Sequence, residues 1–381
     1  ISLFGMTPFG WRFPGALFGV LMLPLLYLIA RRLFPATWAA AFPVVLFLFD
    51  FMRFTQSRIA TIDTFSVFFI LLMYYFMLEF FLTPYEEGKF WKLGRPLLFA
   101  GIAFGLGAAT KWTSVFAGLG LFVLFVWKVV QLYKVRREYT GSIVSPEGKT
   151  IGFITFISSP LTRVLAWAVV CFLLLPVILY TLSFLPLMAV QGQSDLFGFT
   201  LQKQIDMYRY HSELQATHPF SSSWWEWPLI VRPIWYYSGQ PYVQNGLIAN
   251  IVLMGTPIIW WLGALAVIFL AVFSFFKRSP VPLIILIAFF SQYLPWIVSP
   301  RKLVFLYHFF MAIPFMLLAV SWSVWRLTER NPKVFRTLSW ALVGAAVVLF
   351  ILFHPILSGA VVSKEYAAVV LRWFPSWVLF N

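Results

Sequence analysis

Charge is scarce in this sequence. Only 11% of its 381 residues are Asp, Glu, Lys or Arg, whereas soluble domains carry about 25%. Hydrophobic residues make up 61%, with 44 Phe and 18 Trp among them. So few charges cannot cover that much apolar side chain in a soluble fold. An ordinary cytosolic enzyme and a disordered chain are both excluded. Cysteine is scarcer still. Cys171 is alone, in an apolar run, which excludes a secreted disulfide scaffold and leaves the redox compartment unread. No P-loop or GxGxxG phrase is present, so a soluble nucleotide or nucleotide-sugar site has no support. The four histidines are His211, His218, His308 and His354. They come without clustered Cys or paired carboxylates, a poor pattern for a metal, and neither a metal site nor a cofactor is expected. Internal repeats and low-complexity tracts are also missing.

What the chain does have is long apolar runs, which point to an all-α polytopic membrane protein. Ten spans are expected, at Phe13–Ala30, Trp38–Met52, Ala60–Leu82, Pro96–Thr110, Trp112–Trp127, Val164–Leu187, Leu247–Phe276, Val281–Ser299, Leu303–Trp325 and Leu338–Phe353. The fourth and fifth, divided only by Lys111, are the weakest, and one long broken helix is the alternative for them. Gly15-x3-Gly19 and Gly101-x3-Gly105 suit close helix packing. Alternating the loops across the bilayer sorts most of the 28 basic residues onto one side: Arg31 and Arg32, Lys89, Lys92 and Arg95, the 128–163 connector, Lys277 and Arg278, and Arg326, Arg330, Lys333 and Arg336. That side is expected to be cytoplasmic, with the C-terminus outside. The net charge of +15 therefore reads as topology rather than as nucleic-acid binding. One outer loop is long, at about residues 188–246. Its Trp and Tyr content suits a segment at the membrane interface. Residues 1–187 are expected to form one transmembrane module. Residues 188–381 are expected to supply the outer loop and a second module of four helices.

Several charges stand on the side that the bias disfavours. Asp50, Arg53, Arg58 and Asp63 surround the turn between the second and third spans, Lys111 follows the fourth, Arg232 follows a Trp-rich run, and Arg301 and Lys302 precede the ninth. Charges at membrane depth are functional candidates by default. An Arg and Lys group at one leaflet suits the phosphate of a lipid-linked substrate, with Arg offering a bidentate fork and Lys a point charge. The plainer reading has each cation snorkel to headgroups. Asp50 and Asp63 likewise stand open between helix capping or pairing and a part in catalysis. For His218, positioning of an acceptor, acid–base work and an interfacial hydrogen bond all remain open.

Certain phrases carry more. Phe4-Gly5-Met6-Thr7-Pro8-Phe9-Gly10-Trp11-Arg12-Phe13, Gln56-Ser57-Arg58-Ile59-Ala60-Thr61-Ile62-Asp63 and Ala109-Thr110-Lys111-Trp112-Thr113 resemble the protein O-mannosyltransferase family. So do His218-Pro219, Ser223-Trp224-Trp225-Glu226-Trp227-Pro228 with Arg232-Pro233, and Arg301 through Tyr307-His308-Phe309-Phe310. The likeness runs the length of the chain and is similar to the prokaryotic form, because the outer loop is too short for the β-trefoil domain of eukaryotic members. It implies a GT-C glycosyltransferase of eleven spans. Such an enzyme is integral to the plasma membrane and moves mannose, with inversion, from a polyprenyl-phosphate carrier to Ser or Thr hydroxyls of proteins on the outer face. Arg58 matches a family arginine near the donor phosphate. Lys111, Arg232 and Arg301 match family positions also assigned here to that phosphate. Asp50, Asp63 and His308 are expected to support the site, and His218, Trp224 and Trp227 to line the acceptor side.

The family's acidic Asp-Glu pair belongs to a first outer loop that would precede Ile1. The expectation is therefore that one helix and the general base lie upstream, and that the polypeptide without them is inactive. Two rivals remain. Another polyprenyl-phosphate-sugar transferase, acting on a lipid or a cell-wall glycan, shares the first half of the architecture. A lipid-linked sugar transporter would use the same basic cavity, although inverted repeats and paired broken helices are not seen. The acceptor proteins, the carrier's length and the oligomeric state are not legible.

Overall fold

The computed structural model describes residues 3–84, 86, 89–141, 160–277, 279–328 and 331–380. Among the described residues eight helices are long and apolar enough to cross a membrane, a ninth span is a bent pair, and Ile313–Thr328 is a shorter apolar helix. Each of the ten expected spans has its counterpart. In lipid a backbone must satisfy its own hydrogen bonds, and an uninterrupted apolar run does so as a helix. The first are α1 (Pro8–Leu33), α2 (Thr37–Leu48), α3 (Phe51–Arg58), α4 (Asp63–Leu82), α5 (Phe90–Thr110) and α6 (Ala117–Gly141).

Three expected boundaries are corrected. The span set at Trp38–Met52 is not one straight helix: α2 and α3 meet at 58°, because Asp50 stops one helix and caps the next. The span expected from Leu247 begins at Pro257. Its first residues are strands instead, β2 (Leu247–Ile248) and β3 (Asn250–Leu253), and an apolar run this short does not distinguish strand from helix. Strand β3 pairs antiparallel with β1 (Ile234–Ser238), whose register slips between Trp235 and Tyr237 so that Tyr236 bulges. Strand β2 pairs with β4 (Val362–Ser363). The span expected from Leu303 begins at Ile313, after a 3-10 turn over Leu306–Met311.

The chain packs as two units, Ile1–Phe68 with Gln204–Asn381, and Phe69–Lys203. In the first unit the Ile313–Thr328 helix is the core. Every residue from Ile313 to Ser323 is buried, against α2 and the helices Pro257–Phe276 and Pro280–Tyr293. Ser321 ties it to α2 by donating to the Ala39 carbonyl at 2.6 Å. Gly19 of α1 lies against Ser57 of α3, where a Cβ would overlap that side chain.

In the second unit α5 packs on the helix segments from Pro160 to Leu182. These are joined by a π turn at Val170–Leu174 just ahead of Pro176, whose missing N–H leaves a carbonyl without its usual donor. A Cβ at Gly101 would overlap the Cys171 carbonyl at that turn. The small-residue spacing therefore does serve close packing. Helices α5 and α6 are separate: Lys111 is extended, at φ −160° and ψ 133°, and a 3-10 turn over Trp112–Phe116 follows it.

Candidate active site

The bend between α2 and α3 is built by two charges. Asp50 has no exposed surface. Its carboxylate accepts from the Arg53 backbone N–H at 3.0 Å, from the Trp260 indole at 2.8 Å and from the Thr256 hydroxyl at 3.5 Å. Arg53 donates to the carbonyls of Phe47 and Leu48 at 2.7 and 2.8 Å, oxygens that the end of α2 leaves over, and to the Gly19 carbonyl of α1 at 3.3 Å. Of the two readings open for Asp50, the geometry is that of a helix cap.

One turn later the bend delivers Arg58. This side chain is exposed, with its guanidinium carbon 4.9 Å from the Phe54 ring. Gln56 points the other way and is fully buried. Its amide donates to the Tyr236 hydroxyl at 3.4 Å, its side-chain oxygen accepts from Thr61 at 2.9 Å, and its carbonyl accepts from Thr64 at 3.0 Å. Asp63, the first residue of α4, is buried beside this group.

Tyr236 and Tyr307 share that neighbourhood. Burial holds the Tyr236 phenol well above its ordinary ionisation range, and the Asp63 carboxylate and Tyr307 push in the same direction. Tyr307 is pushed up to about 12 by burial first, with Arg301 pulling it down and Asp63 adding to the rise. Both phenols therefore stay protonated and able to donate at neutral pH. Arg301 is half-buried and donates from Nε to the Leu303 carbonyl at 3.1 Å, and its charge reaches Tyr307.

The loop from His218 to Arg232 is fastened over residues 301–308. Ser222 N–H donates to the Val304 carbonyl at 3.0 Å. The His218 ring lies 5.2 Å from Phe305, and its Nδ1 accepts from the Phe220 N–H at 3.2 Å, while the residue as a whole is exposed. Arg232 is exposed as well and donates to the Pro219 carbonyl at 3.3 Å. The two tryptophans expected on the acceptor side differ. Trp224 is half-buried, its carbonyl taking the Tyr293 hydroxyl at 2.9 Å. Trp227 has no exposed surface. It donates to the Ser222 carbonyl at 3.0 Å and stacks on His308 at 5.9 Å, so it packs as a core pillar. His308 is buried with it, enclosed by Trp227, Trp296 and Tyr307.

The first unit thus links Asp63, Arg301 and His308 through Tyr307, and His218 with Arg232 through the loop fastened over residues 301–308; Arg58 belongs to the same unit, with Phe54 and the Arg12 charge as its neighbours. Lys111 belongs to the second unit, half-buried at the C-cap of α5. Sequence reasoning missed Gln56, Tyr236 and Tyr307. The phenols each lie within a few residues of a recognised phrase, but only the β1 bulge and the 3-10 turn give them a common neighbour in Asp63. Among the described residues no group of three or more His, Cys, Asp or Glu could hold a metal ion.

Residues 2–189 match the profile of dolichyl-phosphate-mannose–protein mannosyltransferases, and residues 197–377 match the C-terminal four-transmembrane region of protein O-mannosyltransferases. A polyprenol-phosphate-mannose–protein mannosyltransferase of Corynebacterium glutamicum is 28% identical, aligned over 98% of this chain and 78% of its own length. One from Mycobacterium tuberculosis is 26% identical over 99% and 78%. The fold is that of the S. cerevisiae Pmt1-Pmt2 protein O-mannosyltransferase complex bound to its sugar donor, with a TM-score of 0.76 at 14% identity over 96% of this chain and 80% of that one. ArnT from Cupriavidus metallidurans is a more distant likeness, with a TM-score of 0.50 at 16% identity over 87% and 48%. With both halves matched in order and a GT-C membrane fold around the site, the chain belongs to the dolichyl-phosphate-mannose–protein mannosyltransferase family of glycosyltransferases.

Proposed function

We propose that this protein transfers mannose, with inversion, from a polyprenyl-phosphate carrier to Ser or Thr hydroxyls of proteins. The reaction takes place at the extracytoplasmic face of the plasma membrane, where the C-terminus also lies. The observation that carries the reading is the set of arginines in the first unit. Arg58 and Arg232 are exposed and Arg301 is half-buried, close to Tyr307 and its neighbour Asp63, on the side where positive charge is disfavoured in short loops. The relatives from Corynebacterium and Mycobacterium bear the name of this reaction.

In this mechanism a carboxylate takes the proton of the acceptor hydroxyl, the oxygen attacks the sugar C1, and the lipid phosphate leaves from the opposite face. The family resemblance gives the carboxylate's role to the Asp-Glu pair of the family's first outer loop. Asp50 remains a cap, since its oxygens already accept from Arg53, Thr256 and Trp260. Arg58, Arg232 and Arg301 stabilise the charge that grows on the leaving phosphate. The protonated hydroxyls of Tyr236 and Tyr307 orient the sugar, held by Gln56 and Asp63. His218, exposed on the loop, meets the acceptor.

The test is transfer of radiolabelled mannose from polyprenyl phosphate to a Ser/Thr peptide, using protein expressed from its complete reading frame and reconstituted in liposomes. Labelled peptide, with His218→Ala raising the peptide KM more than it lowers kcat, supports the proposal. Transfer only to lipid, transfer of another sugar only, or movement of the intact carrier across the bilayer without transfer defeats it.

A further inference from the structure

A second basic site lies in the other unit, on residues none of which is named above for transfer. A cavity of about 740 Å3 is lined by Glu79 and Thr83 at the end of α4, by Lys89, by Phe90, Trp91, Lys92, Arg95 and Pro96 at the start of α5, and by Arg163 in the first turn of the Pro160–Val169 helix. All three helices belong to candidate membrane spans. Their ends are where a bilayer changes from hydrocarbon to headgroups. Trp91 and Trp167 stand edge to face at 5.5 Å, and Trp167 donates to the Gly94 carbonyl at 2.8 Å. Tryptophans of this kind mark the headgroup level.

The four cations are not equivalent. Lys89 and Lys92 both hold the Glu86 carboxylate, whose pKa they depress to about 2. Arg95 and Arg163 are exposed, and neither has a hydrogen bond or an ion pair among the described residues. Two guanidinium forks open to one cavity at headgroup depth are suited to phosphate oxygens. Lys89 gives no side-chain cap to α5, so the positive end of that helix adds to the same field. One carboxylate, Glu79, also lines the cavity, which fits a singly charged phosphodiester better than a polyanion. Leu165, Val169 and Leu173 are exposed along the helix that carries Arg163, an apolar track for acyl chains.

We propose that this cavity is a binding site for the phosphodiester headgroup of an anionic glycerophospholipid. The leaflet is the one that faces the basic-rich side of the protein. Arg95 and Arg163 grip the phosphate, and Glu86 holds the two lysines until the lipid's charge competes for them. The site is independent of the transfer reaction, so its test does not depend on activity.

The experiment measures lipid binding to the purified protein by native mass spectrometry, with thermal stability read in parallel. Phosphatidylglycerol, phosphatidylcholine and soluble glycerol phosphate are each added. Expected are retention of phosphatidylglycerol over phosphatidylcholine and no competition from millimolar glycerol phosphate. An interfacial Lys or Arg contributes about 1 kcal/mol, about fivefold in affinity. The double variant R95Q/R163Q should therefore weaken phosphatidylglycerol binding about 25-fold, while R95K/R163K, which keeps the charges, should retain most of it and guard against misfolding. E86Q, by releasing Lys89 and Lys92, should strengthen it. Equal retention of the two lipids, undiminished binding in R95Q/R163Q, displacement by glycerol phosphate, or no gain in E86Q overturns the proposal.

Discussion

Replacing Asp50 with Ala separates a structural from a chemical role. Three consequences follow from the geometry. The first turn of α3 loses the oxygen that accepts from the Arg53 N–H at 3.0 Å, a cap whose removal costs about 1 kcal/mol. The Trp260 indole N–H, donated to Asp50 at 2.8 Å in a fully buried setting, loses its acceptor, at about 1–3 kcal/mol. The Arg53 guanidinium keeps its three carbonyls but loses the neighbouring negative charge. The expected destabilisation is about 3 kcal/mol. Asp50→Asn keeps an acceptor oxygen of the same shape and should cost about 1 kcal/mol, within the range of a single net hydrogen bond. Unfolding in mixed micelles titrated with a denaturing detergent reads both values. Mannose transfer at a temperature where each variant stays folded should remain within a few-fold of wild type. An Asp50→Ala protein as stable as wild type but without transfer would refute the cap and return Asp50 to the chemistry.

Arg58→Ala should lower the transfer rate at least about 100-fold, the scale of one lost electrostatic stabiliser in a transition state. Membrane insertion should be unchanged and Arg58→Lys partly active; a wild-type rate would remove Arg58 from the site. Trp227→Ala should destabilise the protein by about 3–5 kcal/mol, as a buried aromatic does, whereas half-buried Trp224 should cost clearly less; equal losses in thermal melts would contradict the burial difference. The raised ionisation of Tyr236 and Tyr307 makes a prediction for alkaline pH. Both phenols stay neutral in the folded protein where the unfolded chain ionises, near pH 10, so their contribution is complete below pH 10 and is lost as the pH rises above it, for Tyr307 toward about 12. Unfolding followed across that window should show a fall in stability that Tyr236→Phe with Tyr307→Phe flattens, and an unaltered slope would exclude the two phenols as its source.

Much of the fold was legible because the solvent is simple. A run of about twenty apolar residues in lipid has one way to satisfy its backbone, so ten spans could be set down from hydropathy alone. The errors fell where a second force competes. At Leu247–Leu253 an apolar run pairs as strands with β1 and β4. At Leu303 the helix start slid to Ile313 behind a 3-10 turn. At Asp50 a buried carboxylate bent a span that composition reads as straight. The candidate site was legible in part, since Arg58, Arg232 and Arg301 stood out as cations on the disfavoured side. Gln56, Tyr236 and Tyr307 did not, because a neutral polar residue near a membrane surface carries no signal until its neighbours are known.

The sequence by itself determined that the chain is a polytopic helical membrane protein, which side gathers its basic residues and, through its phrases, which family it belongs to. These rest on composition, run length and the order of short motifs, all of which are local. Only the tertiary structure decided the fate of individual side chains. Asp50 became a cap because Thr256 and Trp260, some two hundred residues away, supply its partners. Trp227 became core and Trp224 did not, because His308 and Trp296 close over one ring of two that look alike in sequence. Burial and partnership are properties of distant segments brought together, and no spacing along the chain encodes them.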